Sequence, residues 1–542
     1  MPSTPTSKSQ VQAYRFMLRR MESALVRRDA VMLHDPMSSH IRAAAIGILL
    51  AMVIAVGFIL FGVLNPSGAL PSDSGVVIGK QSGAVYALVK DQNTNQKRLI
   101  PTFNVTSARL LLLAQAGAGS TANAATPPAV VDDEVLKGVD RGKKQGIVDV
   151  PQLLPSPGQQ ISDDWAVCDT VDLAKTPDPV TGEISTSVIA GVADVGTEIS
   201  VDRPVLVVTP DRTYYLVYRI PPKYTRGGEQ RAGISNADVV RAKVTMTDNT
   251  LTQTYKLFAA DARPVSSAVL NAIPQVADLQ TPAIDAVNQS SPFTVNDPRI
   301  GAARIGAVLH DTNGTGDEHY YVLLKNGKHE ISPAVATLLV TSNADQGSEY
   351  QVHHADTVNV PNDDTLQPYD DFPQRIGNVV DATESSTTCF AWHYRDGRQH
   401  SMVTVAPDMK SIIKDKTPIR LGSPGTAGAK VTDFYMPTGQ AAVVHGSTSA
   451  EEDRMAGPLY VISDLGVKYG IASSVVGMSP AQVADGLGLG DPSTYPPAPD
   501  QIVGLLPAGS ALDPAAALRT YDSMTPPTGV GAYPTVSSTP GG

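Results

Sequence analysis

AAAIGILLAMVIAVGFILFGVL, residues 43–64, decides how the rest of the chain is read. It contains no charged and no strongly polar side chain. About 22 residues at roughly 1.5 Å each make ~33 Å of helix, enough to cross a hydrocarbon core of ~30 Å. A buried core helix of that length would keep a polar stripe toward water, and none is present. The stretch therefore predicts one transmembrane helix over 41–65.

Charge orients it. Residues 1–42 carry seven Lys and Arg against three Asp and Glu, whereas 65–79 carry no Lys or Arg. Basic flanks stay in the cytoplasm, so everything beyond the helix is exported. A cleaved signal peptide would need a shorter apolar run and an A-x-A-like site after it; NPSGALPSDSG offers none. The expected location is the inner (plasma) membrane, with 1–40 cytoplasmic and 66–524 periplasmic. Net charge is −11 overall, leaving about −15 on the exported part, which argues against a nucleic-acid partner there.

On the cytoplasmic side, Val11, Tyr14, Leu18, Met21 and Leu25 recur at spacings of three and four, giving a basic amphipathic helix with one apolar seam. That seam suits a partner's groove, the anionic inner leaflet of the lipid bilayer, or no partner beyond the topology signal. Within the anchor, Ala43, Gly47, Ala51 and Ala55 repeat every fourth residue, a face on which another helix can approach closely.

The exported part reads as α+β, built from strand–turn–strand–helix repeats. HYYVLLKNGKHEISPAVATLL is the clearest copy: a strand at 320–325, an Asn326-Gly327 hairpin turn, and Ser332 capping a helix that begins at Pro333. LYVISDLGVKYGIASSVVGMSPAQVADGLGL repeats the theme, with Gly466 in the turn, Ser479-Pro480 opening a helix and Gly486 closing it. TYYLVYRI begins another copy, with Ser235 and Asp238 in capping-box spacing. VYALVK begins the fourth, with Thr106 and Ser107 ahead of an apolar run. These place repeats near 79–115, 205–245, 317–342 and 457–490. An echo of Ala272-Ile273-Pro274 with Leu279 in Leu506-Pro507-Ala508 with Leu512 points to two related halves. Residues 525–542 read as a disordered tail.

Only two cysteines are present, Cys168 and Cys389, both beyond the anchor. In an oxidising compartment they most simply form one disulfide, closing a loop of about 220 residues; two buried free thiols are the alternative. Trp165 and Trp392, the chain's only tryptophans, each lie three residues from a cysteine, and both rings are expected to pack around the bridge as core landmarks.

Catalytic motifs are not found. Lys80 (SGVVIGKQ) and Lys143 (GVDRGKK) fail the glycine spacing of a phosphate loop and lack the Ser/Thr that holds Mg²⁺. Asp311 to Glu318 partly matches a Ca²⁺ loop, but Val322 stands where a bidentate Glu is needed. His353, His354 and Asp356 form no metal set, and Asp363, Asp364, Asp370 and Asp371 read as a solvated acidic loop. No cofactor and no metal is predicted.

YRFMLRRMESALVRRDAVMLHDPM before the anchor, NVTSARLLL at Asn104, WAVCD at Trp165, AIPQVADLQTPAI at Ala272, HYYVLLKNG at His319, CFAW at Cys389, LYVISDLGVKYGI at Leu459 and LLPAGSALD at Leu505 together resemble the EccB family. EccB is the single-pass membrane component of the type VII (ESX) secretion systems of mycobacteria and related actinobacteria. The resemblance implies an inner-membrane channel subunit assembled with EccC, EccD, EccE and further EccB copies. It implies a cytoplasmic helix that contacts neighbours, four periplasmic repeats around a disulfide-linked core, and secreted proteins as indirect partners. It also carries an ATPase label for which this sequence supplies no nucleotide motif. The hairpin around 221–229 looks long for the family, and the first repeat's turn at 91–97 lacks glycine.

Overall fold

Ser7 starts the first helix, Lys8–Arg27. Its hydroxyl accepts from the Gln10 amide while the Gln10 side chain accepts from the Ser7 amide, a reciprocal capping box. Arg28 ends it in the left-handed region at φ 51°. Residues 42–54 form a second helix with every described side chain exposed. The computed structural model describes residues 7–28, 42–54, 70–90, 96–117, 124–152, 154–161, 163–172, 183–220, 239–293, 295, 303–312, 318–342, 349–363, 365–366, 371–395, 398–422, 431–447 and 457–522.

One unit then occurs four times. In the third copy, strands Val308–Thr312, Glu318–Leu323 and Lys328–Ile331 form an antiparallel meander, and helix Pro333–Ser342 follows. Strand Tyr350–Val352 returns parallel to the first strand, helix His354–Thr357 follows, and Asn362 bridges parallel to Lys328. The first copy runs from Gly75–Gly79 to Asp140–Arg141, the second from Val205–Val208 to the bridge at Gln275, and the fourth from Ala441–Ser447 to the bridge at Ala508. Each sheet therefore adds a strand before the aromatic one and two pieces after the helix, beyond the strand–turn–strand–helix pattern.

Local differences from the sequence reading have physical causes. Gly327 is not at positive φ; a Cβ there would stand 2.2 Å from the Pro361 carbonyl oxygen, so the glycine admits the closing segment. Gly486 is the last residue of its helix rather than the residue beyond its end, and a Cβ would lie 2.3 Å from Leu113 of the first repeat. The first repeat's helix, Val105–Ala116, is capped by Asn104, whose side chain accepts from the Ser107 amide at 2.7 Å, not by Thr106 or Ser107. Ser235 and Asp238 lie outside the described residues; the segment after them is strand Val239–Val244, and the helix begins at the Asp248 cap.

The Ile273-Pro274 echo marks the closing segment. The Arg241 amide donates to the Pro274 carbonyl at 2.8 Å and the Val276 amide to the Arg241 carbonyl at 2.9 Å. Lys328 does the same with Pro361 and Asp363, and Lys468 with Pro507 and Gly509. Those three cations lie over tyrosines of the central strand: Arg241 over Tyr215 at 5.5 Å, Lys328 over Tyr321 at 4.7 Å and Lys468 over Tyr460 at 4.9 Å. In the first repeat Leu99 takes the strand position, and Arg141 beside it covers Tyr86 at 5.7 Å. Partial burial lowers the pKa of Arg241, Lys328 and Lys468, so the rings face cations short of water.

Repeats one and four share a core in which Leu110 and Leu113 meet Val483 and Leu487. Repeats two and three share another, with Leu251 and Leu338 among its residues. Between them lies a seven-stranded sheet in the order Ile419–Arg420, Asp433–Tyr435, Ile184–Ala190, Asp164–Val171, Thr387–Arg395, Arg398–Ala406, Thr197–Glu198. Half of it precedes repeat two and half precedes repeat four.

Candidate functional site

The two innermost strands of that sheet pair antiparallel with Cys168 directly opposite Cys389 and Trp165 directly opposite Trp392. The cysteines are fully buried and joined, with Cα atoms 4.0 Å apart. No free cysteine is found among the described residues. The rings do not surround the bridge. A three-residue step along a strand reverses the face, so the sulfurs pack with Ile189, Val195, Ile412 and Ile413. Trp165 and Trp392 pack on the opposite face with Val269, Leu270, Ile502 and Leu506 from repeats two and four. One sheet thus carries a covalent clamp on one face and an aromatic floor for two repeat helices on the other.

Buried polar groups fix repeat two to this core. Asp169 accepts from the Thr186 hydroxyl at 2.7 Å and from the Ser266 amide at 2.6 Å; Ser266 caps helix Ser267–Ala272. Burial pushes the Asp169 carboxyl up to about 6, against the pull of those hydrogen bonds. Arg263, only 2% exposed, donates to the Ser385 and Val380 carbonyls and the Thr388 hydroxyl at 2.8, 3.0 and 2.8 Å. Burial brings its guanidinium down to about 10, while Asp381 opposes that shift. No local sequence pattern marks either residue, because both act on strands far along the chain.

The seam residues Val11, Tyr14, Leu18, Met21 and Leu25 lie on helix Lys8–Arg27 with 39% to 81% exposure, joined by Met17. Ala43, Gly47 and Ala51 lie on the second helix; Ala55 is outside the described residues. No helix among the described residues is long and apolar enough to cross a membrane, and 55–64 are not among them.

Lys80 and Lys143 build no phosphate cradle. The Lys80 amide donates to Val131 and its ammonium lies 3.6 Å from Asp132; the Lys143 ammonium lies 3.3 Å from Asp522. Of the acidic run, Asp363 is buried rather than solvated: its carboxylate accepts from the Thr365 amide and its own amide donates to Lys328. It closes the third repeat's last segment. Asp364 and Asp370 are outside the described residues, as are 313–317 of the Ca²⁺-like run. The Asp356 carboxylate accepts from the His353 amide, capping a four-residue helix. No cluster of three metal-ligating side chains is found among the described residues. A cavity of about 790 Å³ opens on the clamp face, between 191–197 and 405–416, lined by Val192, Ile412, Ile413, Lys414, Lys416 and Tyr435 among others.

Fold and site together define a repeat-built assembly protein, four copies of one unit fixed to a clamped central sheet, preceded by helices whose large apolar side chains are mostly exposed among the described residues. The chain belongs to the family described as type VII secretion system ESX-1, transport TM domain B, which it matches over residues 3–526. It is 28% identical over 529 residues to the ESX-1 secretion system ATPase EccB1 of Mycolicibacterium smegmatis (strain MKD8), covering 96% of both chains. Its fold is similar to that of a chain in an intact ESX-5 inner membrane complex, with TM-score 0.62 at 23% identity and 97% and 98% of the two chains covered. It is likewise similar to the EccB3 dimer from the ESX-3 core complex, with TM-score 0.60 at 22% identity and 82% and 100% covered.

Proposed function

We propose that this chain is a structural subunit of a type VII (ESX) inner-membrane secretion complex, joining cytoplasmic components to a periplasmic framework. One observation carries the reading: a clamped frame of repeats is preceded by two helices whose large apolar side chains stand mostly exposed among the described residues. Residues 1–40 lie in the cytoplasm, 41–65 cross the membrane once and 66–524 stand in the periplasm, followed by the tail at 525–542. Support for that direction comes from the basic residues before the apolar run and their absence after it. The seam of Val11, Tyr14, Leu18, Met21 and Leu25 docks on a neighbouring subunit of the EccC, EccD or EccE type. The face of Ala43, Gly47, Ala51 and Ala55 packs on another membrane helix, and a second copy of this chain is a further partner.

The test is a double substitution, Leu18→Asp with Met21→Asp. Both side chains are exposed, so the fold's thermal midpoint is expected to stay put while co-purification of the other subunits is lost. Retained assembly would refute the docking role. A tag at Gly542 protected from external protease in spheroplasts would refute the orientation. The relatives' name, secretion system ATPase, supports a second reading, nucleotide hydrolysis. It predicts ATP turnover by the purified chain that falls on Lys80→Ala or Lys143→Ala.

A further inference from the structure

The third repeat holds five of the chain's ten histidines, while the first two repeats hold none. Three of the five face carboxylates. His310, on the first strand of that sheet, is 6% exposed and stacks on Tyr320 with ring centroids 4.2 Å apart. Its Nδ1 lies 3.2 Å from Glu349. Its Nε2 lies 4.0 Å from Glu318 and makes no hydrogen bond among the described residues. A neutral imidazole keeps one nitrogen as an acceptor, and here that lone pair has no donor to receive and points toward a carboxylate. The imidazolium alone turns a proton toward both acids.

Two further histidines of this repeat also face carboxylates. His354 Nδ1 lies 3.1 Å from the buried Asp311 carboxylate, and His319 Nδ1 lies 3.0 Å from Glu330. Among the described residues, the groups facing this part of the sheet are Glu318 and Tyr320 from the second strand, and Lys328, His329 and Glu330 from the third. Glu349 comes from the returning chain, and Asp311 is the neighbour on the same strand. Helix Pro333–Ser342 adds no charge. Lys328 is committed elsewhere, donating to the Thr357 carbonyl and hydroxyl at 3.0 and 3.1 Å.

We propose that the third repeat is a pH-responsive element: a proton taken up by His310 between Glu318 and Glu349 tightens the pairing of the returning strand Tyr350–Val352 with Val308–Thr312. His319 and His354 add charge of the same sign opposite their own acids. The element strengthens on acidification across the range in which histidine changes charge. It has no counterpart in the second repeat, whose equivalent strand, Val205–Val208, is purely aliphatic.

The experiment is hydrogen exchange with mass-spectrometric readout on the full chain in detergent micelles, at about pH 5.5 and about pH 8, bracketing histidine titration. Protection of peptides covering 308–312 and 349–352 is compared with that of 205–208 as an internal reference. Protection in the third repeat is expected to rise severalfold at the acid pH relative to the reference. His310→Phe keeps the ring stack and is expected to remove most of that rise; Glu349→Gln is expected to reduce it. An equal pH effect in both repeats, or a rise that survives His310→Phe, overturns the proposal. Should His310→Phe fail to fold, Glu349→Gln decides alone, and an unchanged rise with it is equally fatal.

Discussion

Asp169→Asn tests whether a buried carboxylate ties the second repeat to the central sheet at a pH-dependent cost. Asp169 is 2% exposed, forms no ion pair among the described residues, and has its carboxyl pushed up to about 6 by burial, against an ordinary value of 3.8. A folded-state value above the unfolded one means that the folded chain holds the proton more tightly. Its stabilising contribution is therefore complete below pH 3.8 and is lost as pH rises through about 6. About two pKa units correspond to roughly 3 kcal/mol of differential stability. Asparagine cannot titrate; its amide oxygen can keep the Ser266 hydrogen bond while its NH₂ donates to the Thr186 hydroxyl, so only a small constant loss is expected. Urea midpoints of both proteins, measured in parallel from about pH 4 to about pH 7.5, separate the two effects. The constant loss displaces one curve, and only the titration changes the gap between them. Wild type is expected to lose about 2.5 kcal/mol relative to the variant across that window. Curves that stay parallel would refute the reasoning, since a carboxylate free to ionise in place would behave the same folded or unfolded.

Cys168→Ser opens a loop whose ends are 221 residues apart and is expected to lower stability by up to about 5 kcal/mol, read as the urea midpoint under non-reducing conditions. Labelling of Cys389 by a thiol reagent in untreated wild type would contradict the bridge. Arg263→Met removes three hydrogen bonds and leaves two buried carbonyls without that donor. A loss of about 3 kcal/mol is expected, with local exchange rising first where 380–388 meets repeat two. A double-mutant cycle on Tyr460→Leu and Lys468→Met should give a coupling of about 0.5–1 kcal/mol. A coupling of zero would show the 4.9 Å contact to be incidental.

The sequence exposed the middle of each repeat and hid its edges. Tyr214 to Arg219, Tyr320 to Leu323 and Leu459 to Ser463 stand out because a central strand is covered on both faces, so its residues are aromatic or branched along the whole run. The flanking pieces are short, and Asp140–Arg141 or the bridge at Asn362 is held by backbone hydrogen bonds that any side chain permits. Only the Pro274 and Pro507 echo betrayed them. The pairing of Cys168 with Cys389 was readable from their number and setting. The expectation that Trp165 and Trp392 surround the bridge failed on strand parity, which puts them on the opposite face. Asp169 and Arg263 were invisible, because each matters through partners on strands distant in the sequence.

Chain order shows how such a frame is closed. Repeats two and three are neighbours in sequence and form one lobe, whereas repeat one, just beyond the helical segment, finds its partner in repeat four near the other end. Arg109 donates to the Leu487 carbonyl across 378 residues, and Gly486 admits Leu113 at that contact. Repeat one thus packs sideways on repeat four, which reaches the central sheet through Ile502 and Leu506 against the tryptophan face. That sheet interleaves the two halves of the chain: Asp433–Tyr435 pairs with Ile184–Ala190, Asp164–Val171 with Thr387–Arg395, and Arg398–Ala406 with Thr197–Glu198. The disulfide joins the middle of these three seams, so the halves cannot part without breaking two further strand pairings as well as a covalent bond. Interleaving of this kind fits the proposed scaffold, in which the central sheet stays whole while other subunits dock on the repeats.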